Sequence, residues 1–460
     1  MRNDICRLSF FNDIYEIDDT TAVIINYASG AIDALPISQL MPVLKQPDST
    51  TALNRYLQQR GYITQYTKAQ EIEKRNSYAQ QLLSLDDKIR RNPHFVFIPS
   101  YNCNLGCAYC FVCGHKQTDT ITAARKIRNR SFTPQILAAA FQFIEKRRGK
   151  TSSISFFGGE PFLPRHKPVI EKITAYAVSR KMPLSAITNG TELSYFIEIL
   201  SHFSNLQITL DGPAAIHNKS RPYKSGAPSF DRIIANLALL MQYTNVSVQL
   251  RCNLDKRSIQ QYEMMAEELS SYSWFDKERI SIYGSPIVDN DGVFPHIFTS
   301  SQEFLEAAKS CICNPNRLLQ LMERFAFSIT SLPAAGREPP QAFLRPSAHF
   351  CSSETATAIL SPDGYLYACL ELVANPQYSI GTFYPDITVT EMQDSWHNRS
   401  IVTLEPCRTC KYALVCSGGC ASKSLHKNGT MYKVNCADYP YIMREYSRLY
   451  YRTKVRNADE

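Results

Sequence analysis

The stretch His94-Phe95-Val96-Phe97-Ile98-Pro99-Ser100-Tyr101-Asn102-Cys103-Asn104-Leu105-Gly106-Cys107-Ala108-Tyr109-Cys110 decides how this chain folds. His94–Pro99 reads as an apolar strand, and it runs into a loop whose three cysteines are separated by three and then two residues. The same pattern of apolar strand and amphipathic helix then repeats. Ser153–Phe157, Leu184–Thr188, Leu206–Leu210, Val246–Leu254 and Arg279–Tyr283 are further strand candidates. Between the first two, Thr133-Pro134 offers an N-cap with proline in the first turn. In the helix that follows, Ile136, Ala140, Phe143 and Ile144 recur at helical spacing. Val169–Val178, Tyr195–His202, Phe230–Tyr243 and Ile259–Ser270 are expected to be helices too. Strands that alternate with helices predict an α/β fold: a parallel sheet with right-handed crossovers, curved into a partial (β/α)6 TIM-like barrel. Chemistry in such barrels sits at the C-terminal ends of the strands. The cysteine loop, Gly158-Gly159-Glu160-Pro161, Thr188-Asn189-Gly190 and Asp211-Gly212 all fall there.

Composition narrows the class. The 460 residues, 44% hydrophobic and 20% charged, are ordinary globular material with room for two or three domains. A net charge of +8 is mild and does not call for nucleic acid. The 15 cysteines are unusual. Met1-Arg2-Asn3-Asp4-Ile5-Cys6 has no apolar signal-peptide core, and apolar runs such as Ile233 to Met241 are too short to span a membrane. A cytoplasmic location is therefore expected, where dense thiols serve metal sites or redox chemistry more than disulfides.

Outside the barrel, residues 1–92 read as a separate unit. Phe10 to Ile17 and Thr21 to Tyr27 form a predicted hairpin, followed by helices near Ile37–Lys45 and Thr50–Gln59 and the extended Gly61-Tyr62-Ile63-Thr64. The expectation is a winged-helix-like module, or else an extension packed on the main domain. Residues 93–300 form the barrel core and 301–346 a helical linker, with helices at Glu303–Ser310 and Arg317–Ile329 and a Pro-rich stretch from Leu332 to Pro346. Residues 347–460 read as a small loop-rich domain held by metal, closed by a helix at Tyr439–Arg452.

Three thiolates at Cys103, Cys107 and Cys110 can hold three irons of a cubane cluster and leave the fourth open. With Cys113 as a fourth ligand the same spacing also suits structural zinc. The surrounding segments resemble the radical SAM enzyme superfamily, which has this cysteine spacing with an aromatic before the third cysteine, as Tyr109 is. The resemblance runs from about His94 to Val288 and takes in Gly158-Gly159-Glu160-Pro161, Thr188-Asn189-Gly190, Thr209-Leu210-Asp211-Gly212-Pro213, His217 and Arg221. It implies a [4Fe-4S] cluster on Cys103, Cys107 and Cys110. It also implies S-adenosyl-L-methionine near Tyr109, Gly158, Gly159, Glu160, Thr188, Asn189, Thr209, Asp211 and Arg221. By this resemblance Glu160 receives the methionine ammonium, while Thr209 and Arg221 contact the nucleoside and carboxylate. Reductive cleavage of the sulfonium then gives a 5′-deoxyadenosyl radical that abstracts hydrogen from substrate. Paired glycines let backbone approach a ligand closely, and a guanidinium grips a carboxylate with its planar fork. His217 on its own reads as a helix-cap or surface histidine.

The later cysteines resemble the SPASM extension of such enzymes, which binds two auxiliary Fe–S clusters. By that resemblance Cys407, Cys410, Cys416 and Cys436 hold one cluster, and Cys351, Cys369 and Cys420 hold three corners of the other. Three cubanes need about eleven protein corners once one iron is left to the cofactor, and the motifs supply ten. Cys311, Cys313 or His349 can supply the eleventh, or the iron is open. Cys6 and Cys252 read as buried structural thiols.

The resemblance implies a maturase that abstracts hydrogen from a peptide or protein side chain to install a crosslink or oxidation. A low-potential donor of flavodoxin or ferredoxin type would serve it. Residues 1–92 can recruit a precursor peptide as an added strand. Sulfatase-maturating enzymes, which form formylglycine, place an aspartate directly after the second SPASM cysteine. Leu370 stands there, and Glu371, one residue on, is the candidate catalytic base. A non-catalytic Fe–S or zinc protein is the more distant alternative, and it has no use for Glu160 and Arg221. The basic residues Lys116, Arg125, Lys126, Arg128 and Arg130 read as a solvated face or a docking strip for an acidic peptide.

Overall fold

The computed structural model describes residues 6–48, 50–112, 130–287, 296–326, 342–344 and 346–455. Cys113, Lys116, Arg125, Lys126, Arg128 and most of the Leu332–Pro346 stretch lie outside the described residues.

The N-terminal unit is an antiparallel meander of β1 (Asn12–Glu16), β2 (Thr21–Asn26) and β3 (Ala31–Pro36). Helices α1 (Ile37–Lys45) and α2 (Ala52–Gln59) follow, and the Thr51 side chain caps α2 by accepting from the Asn54 amide. Ile24, Leu40, Leu57 and Tyr62 form its apolar core. The sequence reading lacked β3, because buried Asp33 breaks its apolar pattern. That carboxylate accepts from the Tyr56 and Tyr62 hydroxyls and from Arg60 Nε. Helix α3 (Lys68–Arg90) was also absent from the expectation. Its buried Ala79 packs with Ile401, Leu404, Cys407 and Leu414, so the helix lies against the C-terminal cysteine segment.

The barrel strands are β4 (His94–Phe97), β5 (Ser153–Phe156), β6 (Leu184–Thr188), β7 (Asn205–Thr209), β8 (Ser247–Leu254) and β9 (Ile280–Pro286). All neighbours are parallel and lie in chain order. Right-handed crossovers in chain order put every helix on one face, which curls the sheet into the partial barrel. Thr133 caps the first crossover helix, Pro134–Glu145, as its sequence predicts. Cys252 is fully buried in the barrel core, whereas Cys6 is only half-buried.

The C-terminal segment joins this sheet instead of standing apart. After β10 (Ala342–Phe343), β11 (Thr357–Leu360) runs parallel to β4 with Thr357 opposite His94. Strands β12 (Tyr365–Tyr367), β13 (Gly381–Thr382) and β14 (Thr388–Val389) extend it antiparallel to ten strands. No helix among the described residues is long and apolar enough to cross a membrane.

Candidate functional site

The loop after β4 is fixed before any ligand arrives. Gly106 and Ala108 donate their amides to Pro222 and Ser220 carbonyls, and Lys224 N donates to Asn104 O, so the cysteine loop is laced to the segment carrying Arg221. The Cys103, Cys107 and Cys110 thiols are mutual electrostatic neighbours. Burial pushes Cys103 up to about 12 and Cys107 up to about 11, so without a cation these thiols stay protonated. A coordinated metal reverses that preference and takes the thiolate.

The glycine pair does not leave room for a ligand alone. A Cβ on Gly159 would stand 2.2 Å from Asn102 O, and one on Gly158 would stand 2.7 Å from Ser100 O. This contact puts Glu160 beside the cysteine loop, where its amide donates to Asn102 O at 2.7 Å. The Glu160 carboxylate is buried and accepts from Thr188 Oγ1 (2.6 Å), Phe162 N (3.0 Å) and Asn189 N (2.7 Å). Burial outweighs these bonds and raises it to about 7, so an ammonium ion would be a favourable neighbour. Asn189 reaches both ways, donating Nδ2 to Asn104 Oδ1 at 2.8 Å and toward Cys103 Sγ at 3.6 Å.

Under the loop sits a second polar cluster. Tyr109 donates its hydroxyl to Asp211, and Arg221 Nη1 donates to that hydroxyl at 2.7 Å. Asp211 also accepts from Asn253 N (3.0 Å) and Asn253 Nδ2 (3.1 Å). Arg221 is buried, and its Nε has no partner among the described residues, so it has a donor to offer a carboxylate. Thr209 is buried at the end of β7, opposite Arg251 on β8. His217 is neither a cap nor a surface residue. It is fully buried, its Nδ1 accepts from Asp211 N, and its Nε2 bonds Ser229 Oγ, so it props the Asp211-Gly212 loop as a neutral ring that burial lowers to about 3. Asn253 escaped the sequence reading. Its position at the C-terminal end of β8 is the signal that could have found it.

The remaining cysteines form two sets. Cys407, Cys416, Cys410 and Cys436 are one another's electrostatic neighbours, as are Cys351, Cys369 and Cys420. Between Cys416 and Cys420, the chain takes three consecutive left-handed residues at Ser417, Gly418 and Gly419. That reversal lets cysteines four residues apart belong to different sets. Arg399, fully buried and missed from sequence, joins the sets. It donates to Glu354 Oε1 (2.5 Å), Gly418 O (2.8 Å) and Met431 O (2.8 Å). His349 Nδ1 bonds Arg399 O at 2.8 Å. Cys311 ends the helix Ser301–Cys311, and exposed Cys313 donates its amide to Glu263. The foremost charged neighbours of Cys351 and Cys369 are instead Glu354 and Glu371. Leu370 packs in an apolar cluster with Tyr101 and Tyr367, while Glu371 Oε2 is buried without a partner among the described residues.

Residues 97–269 match the Radical SAM superfamily model. The chain is 23% identical over 386 residues to the cysteine-type anaerobic sulfatase-maturating enzyme of Clostridium novyi (strain NT), covering 77% of this chain and 96% of that protein. It is 22% identical over 248 residues to the radical SAM cyclopropyl synthase TigE of Paramaledivibacter caminithermalis, covering 52% and 51%. In fold it resembles native anSMEcpe with bound AdoMet and Cp18Cys peptide, with TM-score 0.58, 18% identity and coverage of 80% and 99%. Residues 97–269 thus carry the match to a radical SAM domain. Enzymes of this family use a [4Fe-4S] cluster and S-adenosylmethionine. Three neighbouring thiols, a buried carboxyl and a buried guanidinium with an unpartnered Nε fit that pair. Among the described residues no three His, Cys, Asp or Glu side chains close on a single ion, a convergence that a cubane with one thiolate per iron does not require.

Proposed function

We propose that this enzyme is a peptide maturase, abstracting hydrogen from a side chain of a precursor peptide to install a crosslink or oxidation. When bound, the cluster and S-adenosylmethionine supply one-electron hydrogen-abstraction chemistry. Cys103, Cys107 and Cys110 hold the cluster in this reading. Glu160 takes the cofactor's ammonium and Arg221 its carboxylate. Tyr109, Asp211 and Asn253 hold Arg221 in place, Thr209 faces the nucleoside, and Thr188 and Asn189 with Gly158 and Gly159 shape the Glu160 loop. Cys407, Cys410, Cys416 and Cys436 carry one auxiliary cluster; Cys351, Cys369 and Cys420 carry the other. We read residues 1–92 as the peptide-recruiting unit, 93–300 as the catalytic core, 301–346 as a linker and 347–460 as the auxiliary-cluster domain. A flavodoxin- or ferredoxin-type donor supplies electrons.

The observation that carries peptide over sulfatase is Leu370. An acid at that position would be partly buried against the apolar cluster of Tyr101 and Tyr367. Glu371, with its unpartnered Oε2, is the base in this reading. Similarity to the Clostridium novyi enzyme across 77% of the chain favours formylglycine formation as the second reading. Anaerobically reconstituted enzyme, dithionite and S-adenosylmethionine are incubated with short peptides encoded beside the gene, or with a sulfatase-derived peptide. The proposal expects roughly twelve irons per chain, 5′-deoxyadenosine release and a mass change only in the neighbouring peptide. Modification of the sulfatase peptide alone establishes the second reading, and no 5′-deoxyadenosine with either refutes both.

A further inference from the structure

Arg75 projects from α3 into the C-terminal cysteine segment, although it lies far from every cysteine in sequence. It is 3% exposed. Its Nη2 donates to the carbonyls of Cys407 (3.0 Å) and Arg408 (2.7 Å), and Asn76 Nδ2 supports the same turn through Arg408 O at 3.1 Å. Its Nε and Nη1 have no partner among the described residues. The buried acid one turn earlier on its helix, Glu71, is taken by Arg7, Ser9 Oγ and Phe10 N. On the other side the guanidinium stands 6.0 Å from the Phe11 ring and walls a cavity of about 470 Å³ between the N-terminal sheet and α3. The thiols that are its electrostatic neighbours are those of Cys410 and Cys407.

A buried cation with no carboxylate is costly unless another anion faces it. Four thiolates around an Fe–S cluster are such an anion, and the free Nε and Nη1 donors suit sulfur. We propose that Arg75 is the counter-charge of the cluster held by Cys407, Cys410, Cys416 and Cys436, raising its reduction potential from the N-terminal unit. The proposal rests on that four-cysteine reading. Reduction adds negative charge, so a fixed neighbouring cation favours the reduced state; hydrogen bonds to sulfur act in the same direction. Arg75 touches neither substrate nor S-adenosylmethionine in this role. It is a positioning residue for electron flow.

The test is an EPR-monitored redox titration of the full-length reconstituted enzyme, with Cys407→Ala/Cys410→Ala identifying which signal belongs to this cluster. Arg75→Gln is expected to lower the equilibrium constant for one-electron reduction about tenfold, which is about 59 mV in midpoint. Arg75→Lys, which keeps the charge, is expected to stay within about threefold of wild type. An unchanged midpoint in Arg75→Gln at full iron content overturns the proposal. So does an Arg75→Lys midpoint displaced as far as that of Arg75→Gln, which would assign the effect to the carbonyl contacts. If Arg75→Gln loses this cluster, Arg75→Lys decides: retention near the wild-type midpoint supports the charge, and loss in both refutes it. If Cys407→Ala/Cys410→Ala removes neither iron nor signal, the four-cysteine reading falls and the proposal with it.

Discussion

Arg399 and Glu354 are the pair whose disruption should be felt most. Arg399→Met removes the cation from a fully buried carboxylate and strips the donors from Gly418 O and Met431 O. Breaking a buried ion pair from one side costs about 3–5 kcal/mol, and each orphaned carbonyl adds about 1 kcal/mol. A loss of about 6 kcal/mol is therefore expected for the C-terminal segment. Replacing both members, Arg399→Met with Glu354→Leu, removes the stranded charge and should recover about 2 kcal/mol or more of the summed single losses. The chain has two tryptophans, and buried Trp396 lies three residues from Arg399. A Trp274→Phe background makes fluorescence report this region alone. Urea unfolding of cluster-free protein then reads the cycle, and at an m-value of about 2 kcal/mol per molar the Arg399→Met midpoint falls by roughly 3 M. A coupling energy under about 1 kcal/mol would show that Arg399 acts only as a spacer, and would refute the account of how the two cysteine sets are joined.

Glu160 gives a pH signature. Burial raises it from 4.5 to about 7, so between these values the folded state holds a proton that the unfolded chain has released. Cluster-free protein should thus lose stability as pH rises from about 4.5 to about 7, by up to about 3 kcal/mol relative to Glu160→Gln; parallel wild-type and variant denaturation profiles would contradict this. In Gly159→Ala the new Cβ meets Asn102 O and Tyr101 O, both backbone. The shift should weaken S-adenosylmethionine binding by roughly 100-fold in equilibrium dialysis, while a tenfold or smaller loss would mean the loop yields cheaply. A peptide joining the N-terminal sheet must use the β3 edge, because Lys411 and Arg448 donate to Asn12 O and Glu16 O on β1. That edge is taken at Ala31 and Ile32 by β10, with Leu344 N on Gly30 O. Hydrogen exchange should therefore show Leu344 losing protection when precursor peptide binds, and unchanged protection at Leu344 would place the peptide elsewhere.

The barrel was legible because each of its strands is a short run with buried apolar residues, and the helices between them carry apolar residues at helical spacing. Phe230–Tyr243 shows this most directly: its predicted and observed limits coincide. Elements whose order depends on distant partners were not legible. Helix α3 has few apolar side chains, and those that matter meet Ile401 and Leu414 at the other end of the chain. Strand β11 gave no hint that it would extend the barrel beside β4. In the site, the cysteines and Glu160 announce themselves by residue type and spacing. Asn253, Arg399 and Arg75 do not, since an isolated asparagine or arginine is ordinary surface composition until the fold buries it. His217 misled for the same reason.

Those unannounced residues have a common position. Each of the three cysteine regions lies on loops and single helical turns, which cannot hold thiolates by apolar packing alone. Asn104 and Asn189 tie the first cysteine loop to the Glu160 loop, and Asn253 ties Tyr109 to Asp211. Arg399 ties Glu354 to the Gly418 reversal between the two later sets, and Arg75 ties α3 to the Cys407 turn. In each case a buried polar side chain satisfies backbone carbonyls or carboxylates that would otherwise be stranded, which fixes loop geometry without relying on the metal. Arg75 also places a positive charge, with no carboxylate partner among the described residues, where a thiolate cluster would gather negative charge, whereas the charge of Arg399 is matched by Glu354. The scaffold that shapes these loops therefore sets part of their electrostatics, so stability and redox behaviour should shift together when Arg75 is changed.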